Sequence, residues 1–355
     1  MTQLADYTTL GLGGPAKTFV TASSEAELAA AVRDADAAGE PVLLLGGGSN
    51  LVIADDGFDG TVIRVATRGL RFQEVPASSP VVDVTVAAGE PWDDVVAATV
   101  EAGLAGLECL SGIPGSTGAT PIQNVGAYGQ EVAEVITRVR VIDRRTGTTL
   151  EMPNGSCRFS YRNSLFKSGE PGRYVVTEVA FRLHADGLSR PVRYAELASR
   201  LGIEIGERAP VAKIRSDVLG IRGRKGMVLD PGDPDTRSAG SFFTNPMISA
   251  ADFARLESVA RSSGWPSDKP VPHFDAGEGL VKVPAAWLIE HAGFAKGHGA
   301  PGPARVSSKH TLALVNAGGA TTGDLLALAR EIIAGVRDKF GVTLTPEPTL
   351  VGVTV

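Results

Sequence analysis

Cysteine is scarce in this chain of 355 residues: only Cys109 and Cys157 occur, 48 positions apart. That spacing forms neither a metal knuckle nor a disulfide framework, and it suits a reducing compartment. A basic excess is also missing. Lys and Arg total 34 against 40 Asp and Glu, a net charge of −6, so no nucleic-acid partner is expected. Long apolar runs are absent too. The stretch 95–110 is broken by Glu101 and Glu108, so no membrane-spanning helix is expected. The opening MTQLADYTTLGLGG has neither the basic start nor the apolar core of a signal peptide. His291, His298 and His310 lack the carboxylate spacing that completes a zinc site, so no metal is expected. Asn154-Gly155-Ser156 fits a glycosylation acceptor but has no secretory context. What is left is an acidic cytoplasmic protein with 43% hydrophobic and 21% charged residues, ordinary values for a globular chain. At roughly 150 residues per domain it divides into two or three domains.

Glycine is what the chain has in excess. There are 43, about 12% against a usual ~7%, and they cluster. Between the clusters the pattern reads as mixed helix and strand. Ser24-Glu25-Ala26-Glu27 has capping-box spacing ahead of a helix over 28–38. A buried strand over 42–45 stops at Gly46. Strands are expected over 61–65 and 81–88, with a helix over 92–102. The middle is richer in β structure, with strands over 135–143, 148–152 and 174–183, the first two joined by the turn Arg144-Arg145-Thr146-Gly147. Helical patterns follow from 195 and over 210–219, and 224–238 reads as a long loop, functional or mobile. The last third predicts helices over 249–262, 285–292 and 322–340, with Thr322 and Asp324 opening the longest and Gly341 capping it, and a strand over 312–316 before it. A domain boundary is expected near 200–210.

Two glycine-rich loops carry the information. The first is Gly46-Gly47-Gly48-Ser49-Asn50-Leu51; the second spans 111–129. Neither is the Rossmann G-x-G-x-x-G nor the Walker G-x-x-x-x-G-K-[ST] pattern. Glycine still lets backbone N–H groups approach an anion closely, and two such loops suit a ligand with a central diphosphate. For the shorter loop, a plain tight turn is an equally good account. The longer one is costly to order as a turn alone.

GGGSNL at 46–51 together with IPGSTGATPIQNVGAYGQE at 113–131 closely resembles the flavin-binding half of the UDP-N-acetylenolpyruvoylglucosamine reductase (MurB) family of the peptidoglycan pathway. The resemblance continues through Tyr161-Arg162-Asn163-Ser164-Leu165-Phe166-Lys167, then Gly240-Ser241-Phe242-Phe243-Thr244-Asn245-Pro246, and reaches Pro346-Glu347-Pro348. The YRxSxFK segment is similar to the longer of the family's two subclasses. The fold this implies is α+β: a FAD-binding region of the vanillyl-alcohol-oxidase (PCMH) type in two subdomains, plus a separate α/β substrate-binding domain. Subdomain 1 would cover 1–66, with 347–355 returning to it, subdomain 2 would cover 67–207, and the substrate domain 208–346.

The activity implied is that of a UDP-N-acetylmuramate dehydrogenase: reduction of UDP-N-acetylglucosamine enolpyruvate, with FAD as cofactor and NADPH as reductant, in cell-wall synthesis. On this reading NADPH reduces FAD and leaves, flavin N5 passes hydride to the vinyl carbon, and an enolate-like charge develops that must be stabilised and protonated. Arg162 would stabilise that charge through a bidentate grip on the carboxylate. Ser241 would be the proton donor, a role that depends on fixed geometry because a hydroxyl is a weak acid. Glu347 would support the enolic species if protonated or sharing a hydrogen bond with it. Taken alone, each residue has a plainer reading: a solvated arginine, a turn serine, an exposed glutamate.

Resemblance assigns FAD to Gly46, Gly47, Gly48, Ser49, Asn50, Leu51, Ile113, Pro114, Gly115, Gly118, Ala119, Gln123, Asn124, Gly126, Ala127 and Tyr128, with Arg222 at the family position of an arginine near the flavin. It assigns substrate to Tyr161, Tyr194, Lys225, Asn245 and His291. Lys225, in the expected loop, would neutralise the UDP diphosphate; Tyr194 would stack or hydrogen-bond when its loop closes; Asn245 would bond either a phosphate oxygen or a turn backbone. Thr244, His291 and Thr349 depart from the family's usual lysine, glutamine and arginine. Two rival readings share the fold: a flavin oxidase of sugars or lactones, and a silent flavin or UDP-sugar binding protein. Holding Arg162, Ser241 and Glu347 together disfavours both. The sequence leaves the oligomeric state open.

Overall fold

The computed structural model describes residues 1–73 and 79–355. They form two compact units. One comprises residues 1–2, 16–48 and 58–228, and the other residues 3–15, 49–57 and 229–355.

In the first unit a three-stranded parallel sheet has Phe58–Val65 at its centre, flanked by Ala16–Ala22 and Val42–Leu45. The helix Glu25–Ala37 packs Leu28 and Val32 against Ala22 and Ile63 of this sheet. Its N-cap is Ser24, which accepts from the Glu27 N–H at 3.2 Å, while the Glu27 carboxylate reaches back to the Ser23 N–H, one residue earlier than a strict capping box.

A five-stranded antiparallel sheet follows, in the order Thr148–Pro153, Ile136–Asp143, Tyr174–His184, Val81–Ala87, Leu70–Phe72. Alternation sorts its faces. Val84, Val86, Val139, Val141, Val179 and Phe181 point inward onto Trp92, Val95 and Val96 of the helix Trp92–Glu101. The opposite face carries Arg71, Glu178, Arg138, Glu151 and Arg140 in a continuous series of ion pairs. The hairpin turn closes on Gly147 at φ +68°. Helices Ala195–Leu201 and Val211–Arg224 complete the unit around Leu197, Ile214, Val218 and Ile221.

The second unit is organised by the helix Thr322–Phe340, whose stripe Leu325, Leu328, Ala329, Ile332 and Val336 is buried. Its capping box is Thr321 with Asp324, so the cap lies one residue before the expected Thr322; Gly341 ends it at φ +71°. Around it lie the helices Ala250–Ser262 and Ala285–His291, a three-stranded antiparallel sheet (Met247–Ser249, Leu280–Lys282, Phe274–Asp275) and the hairpin Ala304–Val306 with Leu314–Asn316. The strand Thr349–Val351 lies parallel to Leu51–Ile53, with Thr349 opposite Leu51.

Two expectations need correction. The helix expected to stop at 219 runs through Arg224: Gly220 and Gly223 lower its propensity, but burial of Val218 and Ile221 holds it. Lys225 is therefore the C-cap of a helix and not a loop residue. Nor is 224–238 structureless. In the second unit, Thr236 Oγ1 donates to the Asp230 carbonyl, Asp235 accepts from the Ser308 N–H at 3.1 Å, and Lys309 pairs with Asp233. These polar side chains order a segment that lacks any apolar period. No helix among the described residues is long and apolar enough to cross a membrane.

Candidate functional site

Gly46, Gly47 and Gly48 follow directly on the strand Val42–Leu45. A Cβ on Gly47 would lie 2.6 Å from the Gly115 Cα, and one on Gly46 would collide with the Ser116 Oγ. The two glycine loops thus meet backbone to backbone, a cradle that any side chain would fill. The second loop is not one open turn. It contains the 3₁₀ turn Thr117–Ala119, the short helix Thr120–Gln123 and a hairpin of Gly126–Ala127 with Gln130–Glu131. Its base is pinned by backbone bonds from Trp92 N–H to the Gly115 carbonyl (3.0 Å), Thr117 N–H to Glu90 (2.9 Å) and Gly118 N–H to Ala88 (2.8 Å). Ile113 and Pro114 precede this pinned stretch; Ala119 N–H turns back to the Ser116 carbonyl at 3.0 Å. Asn124 takes a left-handed conformation (φ +45°), donating to Glu131 Oε2 at 2.8 Å and to the Ser160 carbonyl at 2.9 Å. Gln123 Oε1 accepts from Lys167 Nζ at 2.7 Å. Ser49, Asn50 and Leu51 belong to the second unit, where the Asn50 carbonyl accepts from Thr349 N–H at 2.9 Å.

Gly112, at φ +71°, is held from both sides. Its N–H donates to Asp93 Oδ1 at 2.6 Å, and its carbonyl accepts from Arg222 Nη2 at 3.3 Å. Asp93 also makes a two-pronged pair with Arg215, at 2.6 and 2.9 Å. Burial opposes the Asp93 charge, but the Arg215 guanidinium and the Gly112 N–H prevail and hold its carboxyl below the usual carboxylate range. Arg222 is the less balanced group. Its Nη2 also donates to the Met227 carbonyl at 2.7 Å, yet its Nε is buried with no hydrogen-bond partner among the described residues. Burial holds its pKa below the ordinary arginine value, against the Tyr128 and Asp93 side chains, which raise it. Burial likewise pushes the Tyr128 hydroxyl up to about 12. A buried cation with an idle donor beside a glycine cradle suits an anionic group such as a diphosphate.

Arg162 stands at the tip of a tight turn in which Ser160 and Asn163 exchange two backbone bonds of 3.0 Å, and its own φ is +53°. Its guanidinium donates to the carbonyls of Gly126 (2.6 Å) and Asn124 (3.4 Å) and lies 5.2 Å from the Tyr161 ring centre. The arginine is therefore braced on the glycine-loop hairpin. Tyr194 is the N-cap residue of Ala195–Leu201; its ring stands edge to face with Tyr128 at 5.3 Å. Lys225 pairs with Glu196 at 2.6 Å.

In the second unit, Ser241 follows Gly240 (φ +72°) and precedes the buried, edge-to-face pair Phe242 and Phe243. Ser238 on one side accepts from Thr9 Oγ1 through its carbonyl at 2.6 Å, and the Phe242 N–H on the other donates to Leu312 at 2.7 Å. Among the described residues the Ser241 hydroxyl has no hydrogen-bond partner. Glu347 donates its N–H to the Phe242 carbonyl at 2.9 Å, in a short antiparallel contact that also joins Phe243 to Pro346 and Thr244 to Thr345. Asn245 Oδ1 accepts from the Ala285 N–H at 2.9 Å, capping the helix Ala285–His291. His291 stacks on Trp287, with ring centres 4.3 Å apart and planes at 20°.

No group of three His, Cys, Asp or Glu among the described residues could hold a metal ion. Both cysteines are buried and free, and burial pushes the Cys157 thiol up to about 12.

Known proteins fit this architecture. The family model for a FAD binding domain matches residues 16–153, and that for the UDP-N-acetylenolpyruvoylglucosamine reductase C-terminal domain matches 233–351. The UDP-N-acetylenolpyruvoylglucosamine reductase of Streptomyces coelicolor is 59% identical over 351 residues, 99% of this chain and 89% of the relative. That of Mycolicibacterium smegmatis is 50% identical, over 98% of this chain and 94% of the relative.

The chain belongs to the UDP-N-acetylenolpyruvoylglucosamine reductase family. The crystal structure of the Thermus caldophilus MurB superposes with a TM-score of 0.61 at 27% identity, covering 99% of this chain and 97% of that one. The fold class is the one read from the sequence, α+β with a FAD-binding region and a separate C-terminal domain, and the enzyme class is an FAD-dependent oxidoreductase.

Three side chains that frame this reductase's glycine loop escaped the sequence reading: Asp93, Glu108 and Gln130. Glu108 had a visible signal. A glutamate interrupting an apolar run is either at the surface or deliberately partnered, and Glu108 is fully buried.

Proposed function

We propose that the chain reduces UDP-N-acetylglucosamine enolpyruvate to UDP-N-acetylmuramate in the cytoplasm, as a step of peptidoglycan precursor synthesis that serves cell shape and division. FAD is its bound redox group and NADPH its reductant. The observation that carries the reading is the backbone-on-backbone approach of Gly47 to Gly115, in a loop whose Gly112 carbonyl holds Arg222, an arginine with no partner for its Nε among the described residues, in a chain of this family. Glycine backbones with no side chain between them suit a small-molecule diphosphate approaching the two loops from outside that contact.

FAD would be held by residues 46–51, by Ile113, Pro114, Gly115, Gly118 and Ala119, by Gln123, Asn124, Gly126, Ala127 and Tyr128, and by Arg222. When bound, it would supply the hydride-transfer chemistry between NADPH and the vinyl carbon of the substrate. The chain's own residues do the rest. Arg162 grips the substrate carboxylate as negative charge spreads into it, and a guanidinium already fixed by the Gly126 carbonyl loses little freedom in doing so. Ser241 gives its hydroxyl proton to the adjacent carbon; among the described residues its hydroxyl has no competing partner. Glu347 shares a hydrogen bond with the enolic oxygen. Lys225 meets the UDP diphosphate, Tyr194 and Tyr161 pack against the nucleotide-sugar, and Asn245 and His291 orient it. The threefold division at 66/67 and 207/208 belongs to the same reading.

The test is anaerobic spectroscopy of the holoprotein. NADPH should bleach the flavin band, and UDP-N-acetylglucosamine enolpyruvate should restore it. Bleaching without substrate-driven recovery would favour an oxidase of sugars or lactones. A protein that takes up no FAD overturns the reading.

A further inference from the structure

The second glycine loop leaves the fold at 108–109 and returns at 130, and one side chain bridges the two points. Gln130 Nε2 donates to Glu108 Oε1 at 2.9 Å, and Gln130 Oε1 accepts from the Cys109 N–H at 3.0 Å. The other Glu108 oxygen accepts from the Gly106 N–H at 2.6 Å. Glu108 is fully buried and Gln130 nearly so, and no cation pairs with this carboxylate among the described residues. Burying a carboxylate this way is costly unless its hydrogen bonds are all made, so a structural carboxylate here needs an amide that donates, and Gln130 is that amide.

Gln130 also sits in the hairpin opposite Ala127, next to Gly126, whose carbonyl seats the Arg162 guanidinium. A Cβ on Gly126 would approach the Gln130 carbonyl to 2.9 Å and Arg162 Nη1 to 3.0 Å, so this corner has little slack. One amide thus fixes the spacing of the loop's two ends and the platform on which Arg162 rests.

We propose that Gln130 is a positioning residue: through Glu108 and Cys109 it closes the base of the glycine loop, setting the loop for FAD and the Gly126 carbonyl for Arg162. The proposal rests on the function argued above. It acts through other residues: its side-chain bonds run to Glu108 and to the Cys109 N–H.

The experiment titrates FAD into apoprotein, read by flavin fluorescence, alongside the apoprotein's melting temperature and steady-state kinetics. Wild type comes first: if it binds no FAD, the functional reading itself has failed, and the variants are not needed to show it. In Gln130→Met the shape is kept and both bonds are lost. Charge-assisted bonds of this kind imply about a tenfold rise in the FAD dissociation constant, with kcat falling more than KM rises because Arg162 is misplaced. A merely structural role would lower the melting temperature and leave the affinity of the folded fraction unchanged, and that result overturns the proposal. Should Gln130→Met fail to fold, Glu108→Gln decides. There one of the two donors facing residue 108 meets an NH₂ group, and the FAD dissociation constant should rise severalfold in a folded protein. An unchanged constant in that variant also overturns it.

Discussion

The Glu347 N–H donates to the Phe242 carbonyl at 2.9 Å. This bond ties the backbone beside Ser241 to the backbone of Glu347, two positions 106 residues apart in sequence. With the Phe242 N–H fixed on Leu312 and both phenylalanines buried, the peptide that carries Ser241 has little freedom. A serine whose backbone is held this way can present its hydroxyl as an acid by placement, a role its chemistry alone would not allow.

Ser241→Ala separates the half-reactions. NADPH should reduce the flavin at the wild-type rate, while reoxidation by the enolpyruvyl substrate slows by roughly the 10²–10⁴-fold typical of a lost general acid. Stopped-flow absorbance measures both. Normal reoxidation would remove Ser241 from the mechanism. Stability should move by less than about 0.5 kcal/mol, since the side chain bonds nothing among the described residues.

Arg162→Lys keeps the charge and loses the fork. An ammonium cannot reach the Gly126 and Asn124 carbonyls and a carboxylate in one plane, so kcat should fall by about 10²-fold. Retained activity in steady-state assays would mean that charge alone suffices.

Gly47→Ala tests the cradle. The new Cβ would meet the Gly115 backbone at 2.6 Å, and backbone cannot rotate away. Forced repacking should cost about 1–3 kcal/mol and weaken FAD binding, both readable from melting temperature with and without FAD. Wild-type affinity would show that the two loops have room to part.

Asp93 gives a pH dependence with a defined sign. Its carboxyl is held below the usual range by Arg215 and the Gly112 N–H. A carboxylate whose folded pKa is depressed stabilises the fold above its ordinary pKa of about 3.9, and that contribution is lost as pH falls through the lowered folded value. FAD affinity should therefore hold from neutral pH down past the ordinary carboxylate value of about 3.9, and fall only as pH drops through the lowered folded value and Gly112 is released. Asp93→Asn, which can still accept from Gly112, should have weaker FAD binding at neutral pH and a flatter acid limb. An identical acid limb in the variant would assign the loss to other groups.

The periodic elements were legible: the helices Glu25–Ala37 and Thr322–Phe340 and the strands flanking Gly147 lie within a few residues of where spacing and caps put them. The helix Val211–Arg224 was cut short because glycine propensity is local information, whereas the burial of Ile221 is not. The ordering of 230–236 by Thr236, Asp235 and Lys309 was hidden for a related reason. Its partners Ser308 and Lys309 lie more than seventy residues away, and polar pairings leave no periodic trace. Of the site, the glycine loops were visible as composition. Of the residues that hold them, Asp93 had no motif of its own, Glu108 showed only as a break in an apolar run, and Gln130 lay inside the quoted motif without a role being readable from it.

The parallel pair of Thr349–Val351 with Leu51–Ile53 sets a timetable for synthesis. Leu51 and Thr349 face each other across 298 positions of sequence. At roughly 5–20 residues per second, the earlier strand waits about 15–60 s on the ribosome for its neighbour to be made. Through that interval its apolar edge Leu51-Val52-Ile53 has no partner strand. The time before residues 349–351 are made is then the interval in which this edge is open to pairing with another chain.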